Sequence, residues 1–395
     1  MTDTTVSIAI QGGTLIVDQT ALQAAIAQAL STASFTPTPV PAPPPVPVPP
    51  PAPAPPTPTP VPTPTPTPAP TTNKAAILSW LNGLTARTDK RFFVGQTTAI
   101  WNKPLTDVNV DEAPINAVKA ITGKSVAAVA TIQNFATNSY AIDPSVAVAE
   151  VAEYLSQGYL VQVSLYWNMP ASGGPQAPQS SSWDAADFHA AVTPGTPQYK
   201  TLTQVLFPQQ IAGLKAIIVK NPSKAILLRP FIEINGSWNW YGAESGSDMI
   251  ALWLLFWNAC DAAGLTPNLI WVWNINDNVG SYSTYYPGTN QVDVVGLDVY
   301  ATQSELPNYI NTAYQSLLAH KKPLILSEYG GADNAPSGNG QLDNTALLSV
   351  VKSTFPAIVG AFWFNGTWGL ASNNNTAALM SDPWVITLAD LPAGI

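Results

Sequence analysis

Two glutamates in apolar, strand-like stretches have the residue type and setting for acid–base chemistry. Glu233 lies in "ILLRPFIEINGSWNWYG" (226–242), and Glu328 lies in "LILSEYGG" (324–331). A buried carboxylate without a partner is costly, so each position needs either a compensating charge or a use for its proton. A salt bridge between Glu233 and Arg229 is the structural alternative, and a catalytic role is the functional one.

Eight short apolar segments alternate with helical stretches from residue 74 onward. They lie at 91–96, 125–133, 158–167, 224–234, 268–276, 291–301, 322–331 and 358–368. They lack the clean alternation of a one-faced sheet and are separated by crossovers, which favours parallel strands covered by helices. The pattern predicts an α/β fold, a (β/α)8 TIM barrel. A doubly wound open sheet is the alternative, and it is weakened because no glycine-rich phosphate loop follows the first strand.

Polar and aromatic residues collect at the carboxyl ends of these segments, where barrel enzymes carry their catalytic groups. Those that we expect to bind substrate are Gln96, Trp167, Asn168, Asn235, Trp240, Trp273 and Trp363. Indole faces stack on the C–H faces of sugars and amides bridge hydroxyl groups, so this set suits a neutral polyhydroxylated ligand. Plain packing is the alternative for Trp240 and Trp273. Two carboxyls facing each other across a barrel mouth, one protonated and one ionised, are what glycoside hydrolysis needs.

The motifs resemble glycoside hydrolase family 26, best known for β-mannanases, over roughly residues 90 to 370. "RPFIEINGSWNWYG" is similar to the family's acid/base motif, and "LILSEYGG" is similar to its nucleophile strand. "VDVVGLDVYA" and "VGQ" match two further strands. The resemblance implies an endo-acting, retaining β-glycoside hydrolase that needs neither a metal nor a cofactor.

The resemblance also implies roles for individual residues. Glu233 would be the acid/base and Glu328 the nucleophile. Tyr300 would hydrogen-bond the nucleophile, while Arg229 would supply positive charge that lowers its pKa. Trp238 would line a sugar subsite next to the cleaved bond, as would Trp363, although packing is an alternative for Trp238.

Two positions depart from the family pattern. Ile232 stands where the family usually has His before the acid/base, and Asn168 follows Trp167 where the family tends to have Trp-His. Both changes remove polar groups from the inner sugar subsite. The resemblance favours β-1,4-mannan as the polysaccharide substrate. β-Xylan, mixed-linkage glucan and bacterial exopolysaccharide remain alternatives, and a non-catalytic polysaccharide-binding protein is the contrasting class.

The chain before this domain divides into two parts. Residues 1–35 read as a hairpin followed by an alanine-rich helix, a module too small to build its own core, so we expect self-association or attachment through it. Residues 36–73 form a Pro/Thr-rich linker with 20 prolines between Pro37 and Pro70. Such a segment predicts an extended polyproline-type spacer. The glycoside hydrolase domain would then span 74–395.

Composition excludes several partners. The net charge of −9 argues against nucleic acid and anionic membranes as ligands. Two histidines and the single Cys260 make a metal centre or an internal disulfide unexpected. No apolar run is long enough for a membrane span, and the N-terminus lacks the pattern of a secretory signal. The linker favours an extracellular or cell-surface setting, with a cytoplasmic one left open.

Overall fold

The computed structural model describes residues 8–11, 14–17, 72–98, 112–136, 144–176, 185–242, 245–277, 282–331 and 342–395. The chain divides into two compact units near residue 66. In the first unit, Ile8–Gln11 pairs antiparallel with Thr14–Val17. The predicted alanine-rich helix and the Pro/Thr-rich linker up to residue 71 lie outside the described residues.

The second unit contains a closed barrel of eight parallel strands, so the predicted TIM barrel is confirmed. Each strand is hydrogen-bonded to the next, and the eighth pairs with the first. The strands are β1 (Phe92–Thr97), β2 (Ala128–Gln133), β3 (Leu160–Leu165), β4 (Ile226–Arg229), β5 (Leu269–Asn276), β6 (Val294–Tyr300), β7 (Leu324–Gly330) and β8 (Ile358–Trp363). Short extra strands occur at Met169–Ala171, Gly174–Gln176 and Val385–Ile386.

Helices surround the barrel, and the first of them closes its amino end. They are α1 (Lys74–Gly83), α2 (Ala113–Thr122), α3 (Pro144–Ser156), α4 (Ala185–Val192), α5 (Pro197–Thr201), α6 (Phe207–Lys220), α7 (Gly246–Ala262), α8 (Leu306–Leu318), α9 (Asn344–Ser353) and α10 (Thr376–Ser381). Between β5 and β6 the described residues form 3₁₀ turns at Tyr282–Tyr285 and Thr289–Gln291.

The longest helical run among the described residues is also apolar. Helices α5 and α6, joined by a π-helical segment at Leu202–Leu206, extend over Pro197–Lys220. Among the described residues this run alone has the length and hydropathy of a membrane span. Its side chains Leu206 and Leu214 are fully buried in the cluster between strands and helices, as expected for a core helix.

Small residues allow the barrel to close. Phe93 of β1 and Phe362 of β8 fill the interior with ring centroids 5.5 Å apart in an edge-on arrangement. A Cβ on Gly95 would come within 2.5 Å of the Phe362 ring, and one on Gly360 within 2.2 Å of Phe93. The glycines therefore make room for the two aromatic rings where the first and last strands meet.

The amino end of the barrel is closed by α1 and the final residues. Ile77 and Leu81 of α1 join the apolar cluster inside the barrel. The Asn73 side chain accepts a hydrogen bond from the backbone N–H of Ala225, just before β4, and donates to the carbonyl of Gly394 at 3.0 Å. The first and last described residues of this unit therefore meet at the end opposite the carboxyl ends of the strands.

A β-bulge shapes β7. The pairing of β6 with β7 runs from Leu297 opposite Leu326 to Asp298 opposite Glu328, which leaves Ser327 as an extra residue. A bulge places two consecutive side chains where strict alternation allows one. Ser327 and Glu328 therefore both contact side chains inside the barrel: Ser327 Oγ accepts a hydrogen bond from Asn274 Nδ2 at 3.1 Å, and Glu328 accepts from Arg229 and Tyr300.

Candidate active site

Glu233 is fixed by groups from the neighbouring strand and from its own loop. β4 ends at Arg229, and Glu233 adopts a left-handed backbone with φ of 48°, which is unfavourable for a residue other than glycine. Its N–H donates to Asn274 Oδ1 of β5 at 2.7 Å. Its carboxylate accepts hydrogen bonds from Asn276 Nδ2 at 2.7 Å and from Trp238 Nε1 at 2.5 Å. The carboxyl group is thus held in one orientation.

Glu328 is held from two other sides. One carboxylate oxygen accepts a hydrogen bond from Arg229 Nη2, and the other accepts one from the Tyr300 hydroxyl at 2.7 Å. Both donors favour the ionised carboxylate. The bulge at Ser327 is what makes the arrangement possible, because it directs Glu328 toward the barrel axis.

Arg229 connects β4 with β3, β6 and β7 across the interior. It is fully buried, and its Nε donates to Ser164 Oγ of β3 at 2.8 Å. Its Nη1 donates to Asp298 Oδ2 of β6 at 2.7 Å, and Asp298 also accepts from Asn274 Nδ2 at 2.8 Å. Asp298 therefore acts as a counter-ion for the arginine, which agrees with a structural role.

Burial and neighbouring charges shift the pKa values of Glu233, Arg229 and Tyr300. Burial, with a further contribution from the negative charge of Glu328, raises the pKa of Glu233 to about 7. Burial alone would lower the pKa of Arg229, but Asp298 and Glu328 more than offset this and raise it, so the guanidinium stays charged. Burial and the charge of Glu328 raise the pKa of Tyr300, which keeps its hydroxyl protonated as a donor.

This arrangement has the parts of a glycosidase site. A carboxyl group with a pKa near neutrality can donate a proton and later accept one. A second carboxylate, aimed by an arginine and a tyrosine, can attack a carbon that develops positive charge. Among the described residues, no three His, Cys, Asp or Glu side chains are grouped to hold a metal ion.

Comparison with known proteins decides the family. The model of glycosyl hydrolase family 26 matches residues 66–390, which is most of the chain. The chain belongs to glycosyl hydrolase family 26. The family resemblance seen in the sequence is therefore confirmed, and the protein is a glycoside hydrolase.

Known relatives of this family 26 hydrolase include mannanases. The chain is 26% identical over 333 residues to a mannan endo-1,4-beta-mannosidase of Bacillus subtilis (strain 168), covering 80% of this chain and 85% of that enzyme. A Bacillus subtilis mannanase structure matches with a TM-score of 0.70 and 22% identity, covering 82% of this chain and 96% of the other. A β-mannanase from a symbiotic protist of the termite Reticulitermes speratus, complexed with gluco-manno-oligosaccharide, matches with a TM-score of 0.65, 22% identity and the same coverage.

The predicted substrate-binding residues of the family 26 hydrolase fall into exposed and buried positions. Trp238 is 43% exposed and contacts Glu233 directly, so a ligand at the glutamate can reach its indole. Asn235 is buried and exchanges hydrogen bonds with the backbone of Asn276. Gln96 is buried and donates to the carbonyls of Trp363 and Phe364, which ties β1 to the end of β8.

Trp167, Trp240 and Asn168 lie beneath the site. Trp167 is buried, stacks on Phe231 at 5.5 Å between ring centroids, and donates its indole N–H to the Pro230 carbonyl. Trp240 is nearly buried and donates to the carbonyl of Trp167 at 3.3 Å. Asn168 is buried and accepts from the Asn134 side chain at 2.6 Å. Through these buried contacts, the three residues pack against the segments that follow β3 and β4.

Trp273 and Trp363 point outward from the barrel. Trp273 is fully buried and donates to the carbonyl of Tyr285 at 3.2 Å. Trp363 is fully buried and donates to Asn344 Oδ1 of α9 at 2.9 Å. The structure therefore does not bring these two indoles to the glutamates.

The sequence patterns did not identify several residues that lie at the site. Asn276 follows Asn274 by two positions on β5, so alternation along the strand places both on the inner face and could have identified it. Phe364 follows Trp363 by one position and takes the inward place predicted for the tryptophan. Tyr166 precedes Trp167 and is half-buried at the mouth in the same way. In each pair the residue next to the predicted tryptophan lies at the mouth, because a shift of one residue along a strand moves a side chain to the opposite face.

Proposed function

We propose that this protein is an endo-acting, retaining β-mannanase in which Glu233 is the acid/base and Glu328 the nucleophile. One observation carries the proposal: the pKa of Glu233 is raised to about 7 beside a glutamate that Arg229 and Tyr300 hold. Two carboxyls in different protonation states are what double displacement requires. Mannan as the substrate is supported by the curated mannan endo-1,4-beta-mannosidase relative.

The first displacement joins the sugar to the protein. Glu233 donates its proton to the glycosidic oxygen while a carboxylate oxygen of Glu328 attacks the anomeric carbon. The bond from that carbon to the glycosidic oxygen breaks, and the leaving chain departs as an alcohol. Trp238, with its exposed indole beside Glu233, provides a stacking surface for the sugar that leaves.

The second displacement releases the sugar. Glu233, now ionised, accepts a proton from water as the water oxygen attacks the anomeric carbon of the ester with Glu328. The ester bond breaks, Glu328 recovers its negative charge, and Glu233 is protonated again. Tyr300 and Arg229 donate hydrogen bonds to Glu328 in the ionised state and so stabilise it as a leaving group.

The glutamates are tested by Glu233→Ala and Glu328→Ala variants. On β-1,4-mannan we expect Glu233→Ala to lower kcat/KM by about 10²–10⁴-fold, the usual value of general acid–base catalysis. On an aryl β-mannoside with a dinitrophenol leaving group the first step needs no proton, so Glu233→Ala should form the glycosyl ester nearly as fast as wild type. Glu328→Ala should be inactive on both substrates.

The stereochemistry of the first product distinguishes a retaining from an inverting mechanism, and the absence of any product would indicate binding alone. Proton NMR during early hydrolysis should show the β-anomer first, because two displacements retain configuration. An α-anomer as the first product would contradict the double displacement. If wild type binds mannan, β-xylan and mixed-linkage glucan without cleaving any of them, the protein binds polysaccharide without turnover.

A further inference from the structure

Asn274 of β5 contacts the chain at both glutamates, and its side chain is fully buried. Its carbonyl oxygen, Oδ1, accepts a hydrogen bond from the backbone N–H of Glu233 at 2.7 Å. Its amide nitrogen, Nδ2, donates to Ser327 Oγ at 3.1 Å, and Ser327 directly precedes Glu328 on β7. One planar amide group therefore connects the backbone of one glutamate to the neighbour of the other.

The Oδ1 end of Asn274 holds an unfavourable backbone conformation. Glu233 lies beyond the end of β4 with a φ of 48°, which persists in a residue other than glycine only where the surroundings determine it. Besides the bond from Glu233 to Oδ1, the N–H of Ile234 donates to the backbone carbonyl of Asn274 at 3.4 Å. Two consecutive N–H groups thus bond to one residue, which fixes the direction in which the Glu233 side chain leaves the chain.

The Nδ2 end of Asn274 holds the bulge of β7. Ser327 is the extra residue of that bulge, and it lies in a tight space, because a Cβ on Gly296 of β6 would come within 2.0 Å of Ser327 Oγ. Nδ2 also donates to Asp298 Oδ1 at 2.8 Å. A primary amide can accept on one side and donate on the other in a single plane. Asn274 uses both sides, and the side that donates fixes the residue before Glu328.

We propose that Asn274 is a positioning residue that determines where Glu233 and Glu328 lie relative to each other. The proposal rests on the function proposed above, in which these two side chains act on the same sugar. Because the Asn274 side chain is fully buried, it acts through Glu233 and Ser327 and not through contact with the substrate. Its loss should therefore lower kcat and leave KM nearly unchanged.

The kinetic test is Asn274→Leu, which keeps the approximate size of the side chain and removes both of its polar ends. A catalytic group misplaced by about 1 Å costs of the order of 10²-fold in rate, so we expect kcat on β-1,4-mannan to fall by about that factor. On the dinitrophenyl β-mannoside the first step depends on Glu328 and needs no proton from Glu233. The burst rate on that substrate should fall less, by about tenfold. A burst rate equal to that of wild type would overturn the proposal for Glu328.

A titration of the Glu233 carboxyl group tests its position without turnover. Burial and the charge of Glu328 hold the pKa of Glu233 at about 7. Without the bond to Asn274 the carboxyl group should gain water and move away from Glu328, so its pKa should fall by about one pH unit or more toward 4.5. Carbon-13 NMR of glutamate labelled at Cδ measures this pKa, with Glu233→Gln identifying the signal.

The charges around Glu233 stay the same in Asn274→Leu. Among the described residues, the titratable groups that face Glu233 are Glu328, Arg229, Asp298, Tyr300 and Tyr241. The conservative variant Asn274→Asp keeps an oxygen that can accept from the Glu233 N–H, and any negative charge that it carries raises the neighbouring pKa. Asn274→Asp should therefore leave the pKa of Glu233 at or above its wild-type value. An equal fall in both variants would contradict the role of the Oδ1 bond.

Asn268 provides the matched control. It is a buried asparagine immediately before β5, and its side chain donates to the carbonyls of Pro222 at 3.0 Å and Lys224 at 2.7 Å. Asn268→Leu should lower Tm without changing kcat or the pKa of Glu233. If circular dichroism shows that Asn274→Leu does not fold, Asn274→Ala has the same expected results, since its smaller side chain leaves room for water beside Arg229.

The outcomes separate this proposal from the proposed function. A pKa of Glu233 that stays at about 7 in Asn274→Leu would overturn the positioning role, as would a loss of kcat that Asn268→Leu shares. If wild type cleaves neither mannan nor the aryl mannoside, the proposed function fails. The carboxyl titration then decides the positioning role by itself, because it requires no substrate.

Discussion

At the scale of single residues, the role of general acid that we propose for Glu233 predicts how catalysis depends on pH. As a general acid, Glu233 must be protonated, and its pKa of about 7 places the loss of that proton near neutrality. We expect kcat/KM on mannan to fall tenfold per pH unit above about pH 7. Glu233→Gln should abolish this descending limb along with most of the activity. A pH–rate profile from pH 4 to 9 measures both.

The same residue affects stability in a direction that is fixed by its pKa. Burial and Glu328 raise the pKa of Glu233 from its ordinary 4.5 to about 7, so the folded state favours the protonated form. Stability from this group is therefore complete below about pH 4.5 and lost as the pH rises through about 7. We expect Glu233→Gln to raise Tm relative to wild type at pH 8 and to leave it nearly unchanged at pH 4.

The control for this stability effect is an exposed glutamate. Glu153→Gln replaces a solvent-exposed residue of α3, so it should leave Tm within about 1 °C of wild type at both pH values. A Glu233→Gln variant that is no more stable than wild type at pH 8 would mean that Glu233 bears no unfavourable charge in the folded protein.

At the scale of elements, the loop after β4 depends on two glycines. Gly236 has room only for hydrogen, because a Cβ there would lie 2.2 Å from the indole of Trp238. Gly236→Ala should displace that indole and break its bond to Glu233, and a catalytic group misplaced by about 1 Å costs of the order of 10²-fold in rate. We expect kcat/KM on mannan to fall by up to that factor while Tm changes little.

A second glycine provides the matched control. Gly83 ends α1, has a negative φ of −76°, and a Cβ there meets no atom within 4 Å. Gly83→Ala should therefore leave kcat/KM unchanged. Gly242→Ala is the severe case, because its Cβ would lie 1.7 Å from the carbonyl oxygen of Gly236, so the loop itself would have to open.

The elements also show what could be predicted from the sequence. Apolar segments separated by helix-length crossovers predicted eight strands, with Glu233 and Glu328 near the carboxyl ends of two of them. The bulge at Ser327 and the register of the β8 end could not be predicted, because alternation in an apolar strand leaves both faces looking alike. Trp363 was placed at the mouth for that reason, whereas Phe364 lies there.

At the scale of the whole molecule, buried charges join distant parts of the chain. Arg229 carries two ion pairs, to Asp298 and Glu328, and is fully buried. Arg229→Met would leave both carboxylates without a counter-charge, and breaking a buried pair costs about 3–5 kcal/mol. We expect that loss in urea unfolding. Adding Asp298→Asn should restore part of the stability but not the activity.

An exposed ion pair serves as the control for this experiment. Lys352 pairs with Asp382 at 2.6 Å with both side chains partly exposed. Lys352→Met should therefore lower the free energy of unfolding by no more than about 1 kcal/mol. If Arg229→Met lowered the free energy of unfolding by no more than this control, water would be reaching the barrel interior and solvating the two carboxylates.

The contact between Asn73 and Gly394 has a consequence for engineering this domain. Because the side chain of Asn73 donates a hydrogen bond to the carbonyl of Gly394 at 3.0 Å, a linker of a few glycines could join residue 395 to residue 72. A circular permutant made in this way, opened instead in an exposed turn, would keep every pairing of the barrel. The same proximity suits the domain for insertion as a guest into a surface loop of a host protein, with its sugar-binding mouth turned away from the junction.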